Sequence, residues 1–219
     1  MRIAFRVDAT SQIGSGHFMR CLTLADELKN QGAQVCFVSQ NLPAHLNDML
    51  LTKGMEYVTL SVDVAQEPSN DLAHSNWLGN SQAQDAQATI QALADHLWDW
   101  IVVDHYALDE RWENAVRGSA KQLMVIDDLA DRRHDCDLLL DQNFYADMQT
   151  RYSGKVPVHC QLMVGPRYAL LSKEFRNLRE QIKPHTGEVK RILVSFGGVD
   201  ADNYTSLVID ALVAMKSAC

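Results

Sequence analysis

A chain of 219 residues with 47% hydrophobic content can bury a substantial core, so disorder is excluded, and the length suits one large domain or one domain plus part of another. The formal net charge of -8 and the pI near 5.4 repel polyanions, which argues against non-specific nucleic-acid or membrane binding; an anionic ligand needs local donors. Cys21, Cys36, Cys136, Cys160 and Cys219 form no CxxC pair and read as reduced thiols; with a start that is itself a strand, no signal peptide and no membrane-length apolar run, they point to the cytoplasm.

The first predicted strand is Ile3-Ala4-Phe5-Arg6-Val7, and the turn Gly14-Ser15-Gly16-His17 joins it to an amphipathic helix carrying Phe18, Cys21, Leu22, Ala25 and Leu28. Gly32 stops that helix, Gln34 to Val38 is a second strand, and a short helix from His45 to Lys53 ends at Gly54. Met55 to Leu60 is a third strand; a polar passage from Ser61 to Asn80 reads as a long loop, before a helix from Gln82 to Leu97. Trp100 to Asp104 and Leu123 to Asp127 are continuous apolar runs of buried parallel type, with a helix between them from Asp109 to Arg117.

A further strand is expected within Val158 to Val164 and helical spacing from Tyr168 to Ile182, followed by a linker at Lys183 to Gly187. Arg191 to Phe196 then reads as a strand running into Gly197-Gly198, with a helix from Asn203 to Met215. One strand and one helix are too little to bury a core, so residues 188–219 read as the start of an incomplete second domain after a first domain of 1–187; the alternative adds this unit to the first sheet.

His17 opens the first helix, where unpaired N–H groups place roughly half a positive charge beside the ring. That field favours a ring without charge of its own, which makes His17 a candidate general base, while Gly14 and Gly16 keep its surroundings open. The competing reading is a buried helix-capping histidine. Common glycine-loop explanations fail by position: Met19 stands where a dinucleotide fingerprint needs its third glycine, and Met19-Arg20-Cys21 supplies no Walker lysine.

In an open parallel sheet ligands gather at the carboxyl ends of the strands, where Asp8, His17, Asp104-His105-Tyr106 and Asp127-Asp128 all fall; each aspartate alone is equally a turn cap. His134-Asp135-Cys136-Asp137 is too crowded for ordinary metal-ligand spacing, so no metal site is expected.

Arg6-Val7-Asp8, Gln12-Ile13-Gly14-Ser15-Gly16-His17, Arg20-Cys21-Leu22, Val103-Asp104-His105-Tyr106, Asp127-Asp128, Gly165 to Leu171 and Ser195-Phe196-Gly197-Gly198-Val199-Asp200 resemble, in order, the PseG family of pseudaminic acid biosynthesis. The resemblance implies hydrolysis of UDP-2,4-diacetamido-2,4,6-trideoxy-β-L-altropyranose to free sugar and UDP, without a cofactor. The α/β fold it implies is GT-B-like: a Rossmann-like parallel-sheet N-terminal domain with the beginning of a second Rossmann-like domain. It implies His17 as catalytic base, Tyr106 against the substrate, and Gly14 and Gly16 in the active-site turn; Ser15, Arg20, Asp8, Asp104, Gly197 and Gly198 are expected as further substrate contacts, and Asp8 or Asp104 is expected to orient the imidazole, as hydrogen-bonded carboxylates commonly do. The implied partner is a UDP-sugar, not nucleic acid or membrane.

The chain departs from the family at Ser172, where a basic residue is common, and in the length of its second domain. The alternatives are a glycosyltransferase of the same architecture, with His17 deprotonating an acceptor hydroxyl, and an inactive truncated binding module.

Overall fold

Alternate residues of the central strands face opposite sides of one sheet, and this alternation builds two cores. The computed structural model describes residues 1–62, 71–182, 187, 189–197, 200 and 202–217. Among these, strands β1 (Arg2–Val7), β2 (Gln34–Ser39), β3 (Glu56–Thr59), β4 (Trp98–Asp104), β5 (Ala120–Ile126), β6 (Leu138–Asp141) and β7 (Gln161–Val164) form one sheet in the order β3-β2-β1-β4-β5-β6-β7, parallel throughout. The expected Rossmann-like α/β sheet is present.

Ile3, Phe5 and Val7 of β1 join Phe37, Val102 and Met124 on the face covered by α1 (Gly16–Asn30) and α2 (Ala44–Thr52), which contribute Phe18, Leu22, Ala25, Leu46 and Leu50. Ala4, Val38, Ile101, Val103 and Val125 point the other way, against Ala86 of α3 (Gln82–Ala92) and Trp112 and Val116 of α4 (Glu110–Val116). The helices change sides between β3 and β4, so the chain reverses direction across the sheet between β1 and β4. Such a reversal opens a crevice at the carboxyl ends of those two strands.

A charge lies inside the second core. Arg6, buried between Phe5 and Val7 in sequence, donates to Asp85 of α3 through Nε (3.0 Å) and Nη2 (2.5 Å) and to Asp8 (2.9 Å). Asp85 also accepts from the Trp112 indole at 2.8 Å, so one ion cluster ties β1 to both helices on that face.

Several elements differ from the sequence reading. The helix from Gln82 stops at Ala92, because the Leu93 carbonyl is taken by the Trp98 indole N–H at 3.2 Å. The segment from Tyr168 is not one helix. Ala169 is extended and the Leu170 N–H is given to the Gln142 side chain, so only α5 (Lys173–Arg179) is helical. Leu138–Asp141 is β6, a strand to which the sequence reading assigned no element because four residues are too few to show a period. A short 3₁₀ turn, Ser75–Trp77, stands in the expected loop, of which residues 63–70 lie outside the described residues.

The expected strand from Arg191 to Phe196 is not formed. A parallel strand needs a neighbour, and the sheet ends at β7 without pairing to it; Leu193 is 93% exposed. The following helix, α6 (Tyr204–Ser217), is present, and it leaves Leu207, Val213 and Met215 exposed. Its start is capped by Asp200, whose carboxylate accepts from the N–H groups of Tyr204 and Thr205, both at 2.9 Å. Among the described residues no helix is long and apolar enough to cross a membrane.

Candidate active site

The turn before α1 is built by Thr10. Its Oγ1 accepts from the N–H groups of Gln12 (3.2 Å) and Ile13 (3.1 Å), and its carbonyl accepts from Gly14 N at 2.8 Å. Gly14 closes the turn at φ 75°, a left-handed conformation that favours glycine. Gly16 is the first residue of α1, and a Cβ there meets nothing within 4 Å. Gly14 and Ser15 line a cavity of about 200 Å³ with Ala9, Thr10 and Pro43. The Ser15 side chain makes no capping bond to the helix it precedes.

Helical spacing then puts His17, Arg20 and Cys21 on one face, and all three reach the same carboxylate at the end of β4. Asp104 is fully buried. Its Oδ1 receives His17 Nδ1 at 2.6 Å and Arg20 Nη2 at 2.7 Å, and its Oδ2 receives Arg20 Nε at 2.6 Å and the Cys21 thiol at 3.5 Å. Burial pushes the Asp104 carboxyl up, but the His17 and Arg20 charges and their hydrogen bonds outweigh it and hold the group well below the usual carboxylate range. An ionised carboxylate only accepts, so the neutral imidazole carries its proton on Nδ1 and its lone pair on Nε2. Nε2 has no hydrogen-bond partner among the described residues, and the side chain is 10% exposed.

Arg20 Nη1 also donates to Asp128 Oδ2 at 3.0 Å, which bridges the ends of β4 and β5. Asp128 in turn accepts from the Tyr106 hydroxyl and, at 3.1 Å, from Asn143. Burial and the Asp128 charge push the Tyr106 phenol upward, so it stays a protonated donor, with its ring edge-on to His17 at 4.5 Å.

The four strand-end aspartates divide. Asp8 receives Ser39 Oγ (2.8 Å), the backbone N–H groups of Gln40 (2.8 Å) and Asn41 (3.1 Å), and Arg6; His105 Nε2 lies 3.4 Å away. Asp8 therefore ties β1 to the loop after β2 and does not touch the imidazole; of the two candidates, Asp104 orients it. Asp8 and Asp104 are both sealed from solvent, so neither presents an oxygen to a ligand in this structure. Asp127 likewise caps Ala130 N at 2.9 Å and accepts from Tyr152 at 3.0 Å, leaving Asp128 as the member of that pair that serves the cluster.

Two aromatic residues at the site escaped the sequence reading. Trp77 stacks on Tyr106 at 5.7 Å and stands edge-on to His17 at 6.3 Å, while His74 packs on Trp77 at 4.4 Å. Both come from the aperiodic loop after β3, on the sheet end where a ligand is expected, and that position was the available signal.

Gly197 is exposed at φ 85° and shares no hydrogen bond with the His17 cluster, and Gly198 lies outside the described residues. In the His134–Asp137 segment, His134 Nδ1 donates to Glu113 at 2.7 Å and Asp137 receives Arg117 at 2.6 Å. Among the described residues no group of three or more His, Cys, Asp or Glu is arranged to hold a metal ion.

The chain is 25% identical over 217 residues to the UDP-2,4-diacetamido-2,4,6-trideoxy-beta-L-altropyranose hydrolase of Campylobacter jejuni, an alignment covering 99% of this chain and 67% of that protein. The expected resemblance to the PseG family is borne out. An uncharacterized protein of Methanocaldococcus jannaschii is 22% identical over 218 residues, with 98% of this chain and 40% of that protein aligned. The chain thus spans about two thirds of the hydrolase and two fifths of the archaeal protein. No family model matches the chain.

Among solved structures, MurG of Acinetobacter baumannii aligns at a TM-score of 0.47 and 11% identity, covering 75% of this chain and 45% of that one. A transferase from Siraitia grosvenorii in complex with UDP aligns at 0.41 and 16%, covering 57% and 27%. The calicheamicin glycosyltransferase CalG4 aligns at 0.39 and 17%, covering 97% and 42%.

Proposed function

We propose that this chain carries the base-bearing part of a nucleotide-sugar hydrolase that splits UDP-2,4-diacetamido-2,4,6-trideoxy-β-L-altropyranose into free sugar and UDP. The observation that carries the reading is the His17–Asp104 pair at 2.6 Å, which fixes one imidazole nitrogen and leaves the other without a partner among the described residues, in a turn open enough for a ligand. The similarity to the Campylobacter hydrolase supplies the substrate class.

In this mechanism a water oxygen attacks the anomeric carbon on the face opposite UDP and gives a proton to His17 Nε2. The bond from carbon to the UDP oxygen breaks, its electron pair leaves with UDP, and the configuration inverts through an oxocarbenium-like state. Ordinary glycosidases need a second carboxyl group to protonate a poor leaving group, whereas UDP leaves as a stabilised anion, so one base suffices. Asp104 holds the tautomer and stabilises the imidazolium that forms; Arg20 holds Asp104. In this reading residues 188–219, with Gly197 and Gly198, are the start of the nucleotide-binding half and the protein is cytoplasmic, which the absence of any CxxC pair among its cysteines supports.

Hydrolysis in oxygen-18 water tests the bond that breaks. The label is expected in the sugar; its appearance in UDP means attack at phosphorus and overturns the carbon-centred step.

Gly16→Ala separates ligand approach from folding. The added methyl group meets open space and replaces a helical glycine, so stability is expected to stay level or rise by about 0.4–1 kcal/mol in urea unfolding. If sugar or diphosphate passes over Gly16, binding of the UDP-sugar falls at the same time. Unchanged binding with unchanged stability removes Gly16 from the ligand's path.

A further inference from the structure

The mechanism uses none of the features at the amino ends of the strands, the end of the sheet opposite His17. Cys136 lies two residues before β6 and Cys160 one residue before β7, on neighbouring parallel strands whose register pairs Leu138 with Gln161. Their sulfurs are 3.6 Å apart. Cys136 is buried among Val116, Ala120 and Leu139, whereas Cys160 is only partly buried and gives a reagent a way in.

We propose that Cys136 and Cys160 are a redox-active dithiol that closes reversibly to a disulfide with a peroxide or a small disulfide as oxidant. The register carries Cys160 beside Asp137, the residue next to Cys136, and the two sulfurs are already in contact at 3.6 Å, so closure draws them to a bond of about 2.05 Å by side-chain rotation. The sulfur–sulfur contact holds the Cys160 thiol below its ordinary range, while that same contact and burial push Cys136 up. Cys160 is therefore the attacking thiolate and Cys136 the resolving thiol. With hydrogen peroxide, Cys160 sulfur takes one oxygen to form a sulfenic acid and releases water. Cys136 sulfur then attacks that sulfur, the S–S bond forms, and a second water leaves; the two thiols lose two electrons and two protons to the peroxide.

The bridge would join residues 24 apart in sequence, around a segment that supports the site from behind. Within it, Asn143 and Tyr145 hold the side chain and carbonyl of Asp128 at 3.1 Å each, and Arg151 holds the carbonyls of Asp128 and Leu129.

The test treats the folded chain with hydrogen peroxide or glutathione disulfide, blocks remaining thiols under denaturing conditions, and maps tryptic peptides. The expected product links peptides 134–151 and 156–167, disappears on dithiothreitol treatment, and raises the thermal midpoint by roughly 5–10 °C. Cys160→Ser should abolish the link and the shift while folding normally. Peptides that stay unlinked, with Cys160 capped by glutathione or driven to sulfinic acid, overturn the proposal, as does a link formed by Cys160 with another cysteine in preference to Cys136.

Discussion

Replacing His17 by asparagine is expected to slow release of UDP from the UDP-linked diacetamido sugar by about 10²- to 10⁴-fold, the usual worth of a positioned general base. Asparagine keeps a polar group facing Asp104 but has no basic nitrogen where Nε2 stands. The partners of Asp104 limit the structural damage: Arg20 still donates to both carboxylate oxygens, at 2.6 and 2.7 Å, so the strand end stays neutralised. The measurement is UDP release under saturating substrate, with unfolding in urea as the control. Near-normal turnover in a stable variant returns His17 to the role of a buried residue closing the first turn of its helix.

Asp104→Asn is expected to cost more in stability, about 3–5 kcal/mol, because removing the carboxylate leaves part of a buried cation cluster uncompensated. An amide also presents N–H groups to the Arg20 donors, and it allows the imidazole to place its proton on the wrong nitrogen, so turnover falls with stability. The pH dependence gives a separate signature. Asp104 is held below its unfolded value, so its contribution is fully present above the ordinary carboxylate range and is lost as pH falls through the folded value. The stability gap between native and variant protein should be constant above about pH 5 and narrow as the pH drops below about 4. A gap that is flat through the acid limb removes Asp104 as the ionised anchor.

The sequence carried the fold wherever burial is two-sided. Ile101-Val102-Val103 and Leu123-Met124-Val125-Ile126 are apolar without interruption because helices cover both faces, and such runs have few other readings. Arg6 was concealed by that same pattern: a charge amid apolar neighbours reads as an exception, and its partner Asp85 is 79 residues away. Local signals also end where tertiary capture begins, as at Leu93 and Leu170, whose backbone groups are claimed by Trp98 and Gln142.

At the site, His17 was legible as the residue that opens the first helix, whereas its convergence with Arg20 and Cys21 on one carboxylate was not. Nor was the choice between Asp8 and Asp104. It depends on the pairing of Val7 with Asp104 and on Ser39, Gln40 and Asn41 closing around Asp8, none of which leaves a trace in local spacing. Trp77 and His74 were equally hidden, since their placement beside Tyr106 follows from where β3 and β4 end, on opposite sides of the central pair, rather than from any motif.

The bond between His17 and Asp104 joins residues 87 apart, one entering from the left half of the sheet and one ending the first strand of the right. No fragment containing β1 and α1 alone can hold it, so the dyad is assembled only when β1 has found β4, a non-local event late in the formation of a parallel sheet. Any ligand that binds across this seam therefore binds the native state and not its pieces, and adds RT ln(1 + [L]/Kd) to the stability of the whole sheet rather than of one loop. Thermal protection by candidate sugars thus reports on the seam itself, with no need for the ligand to be turned over.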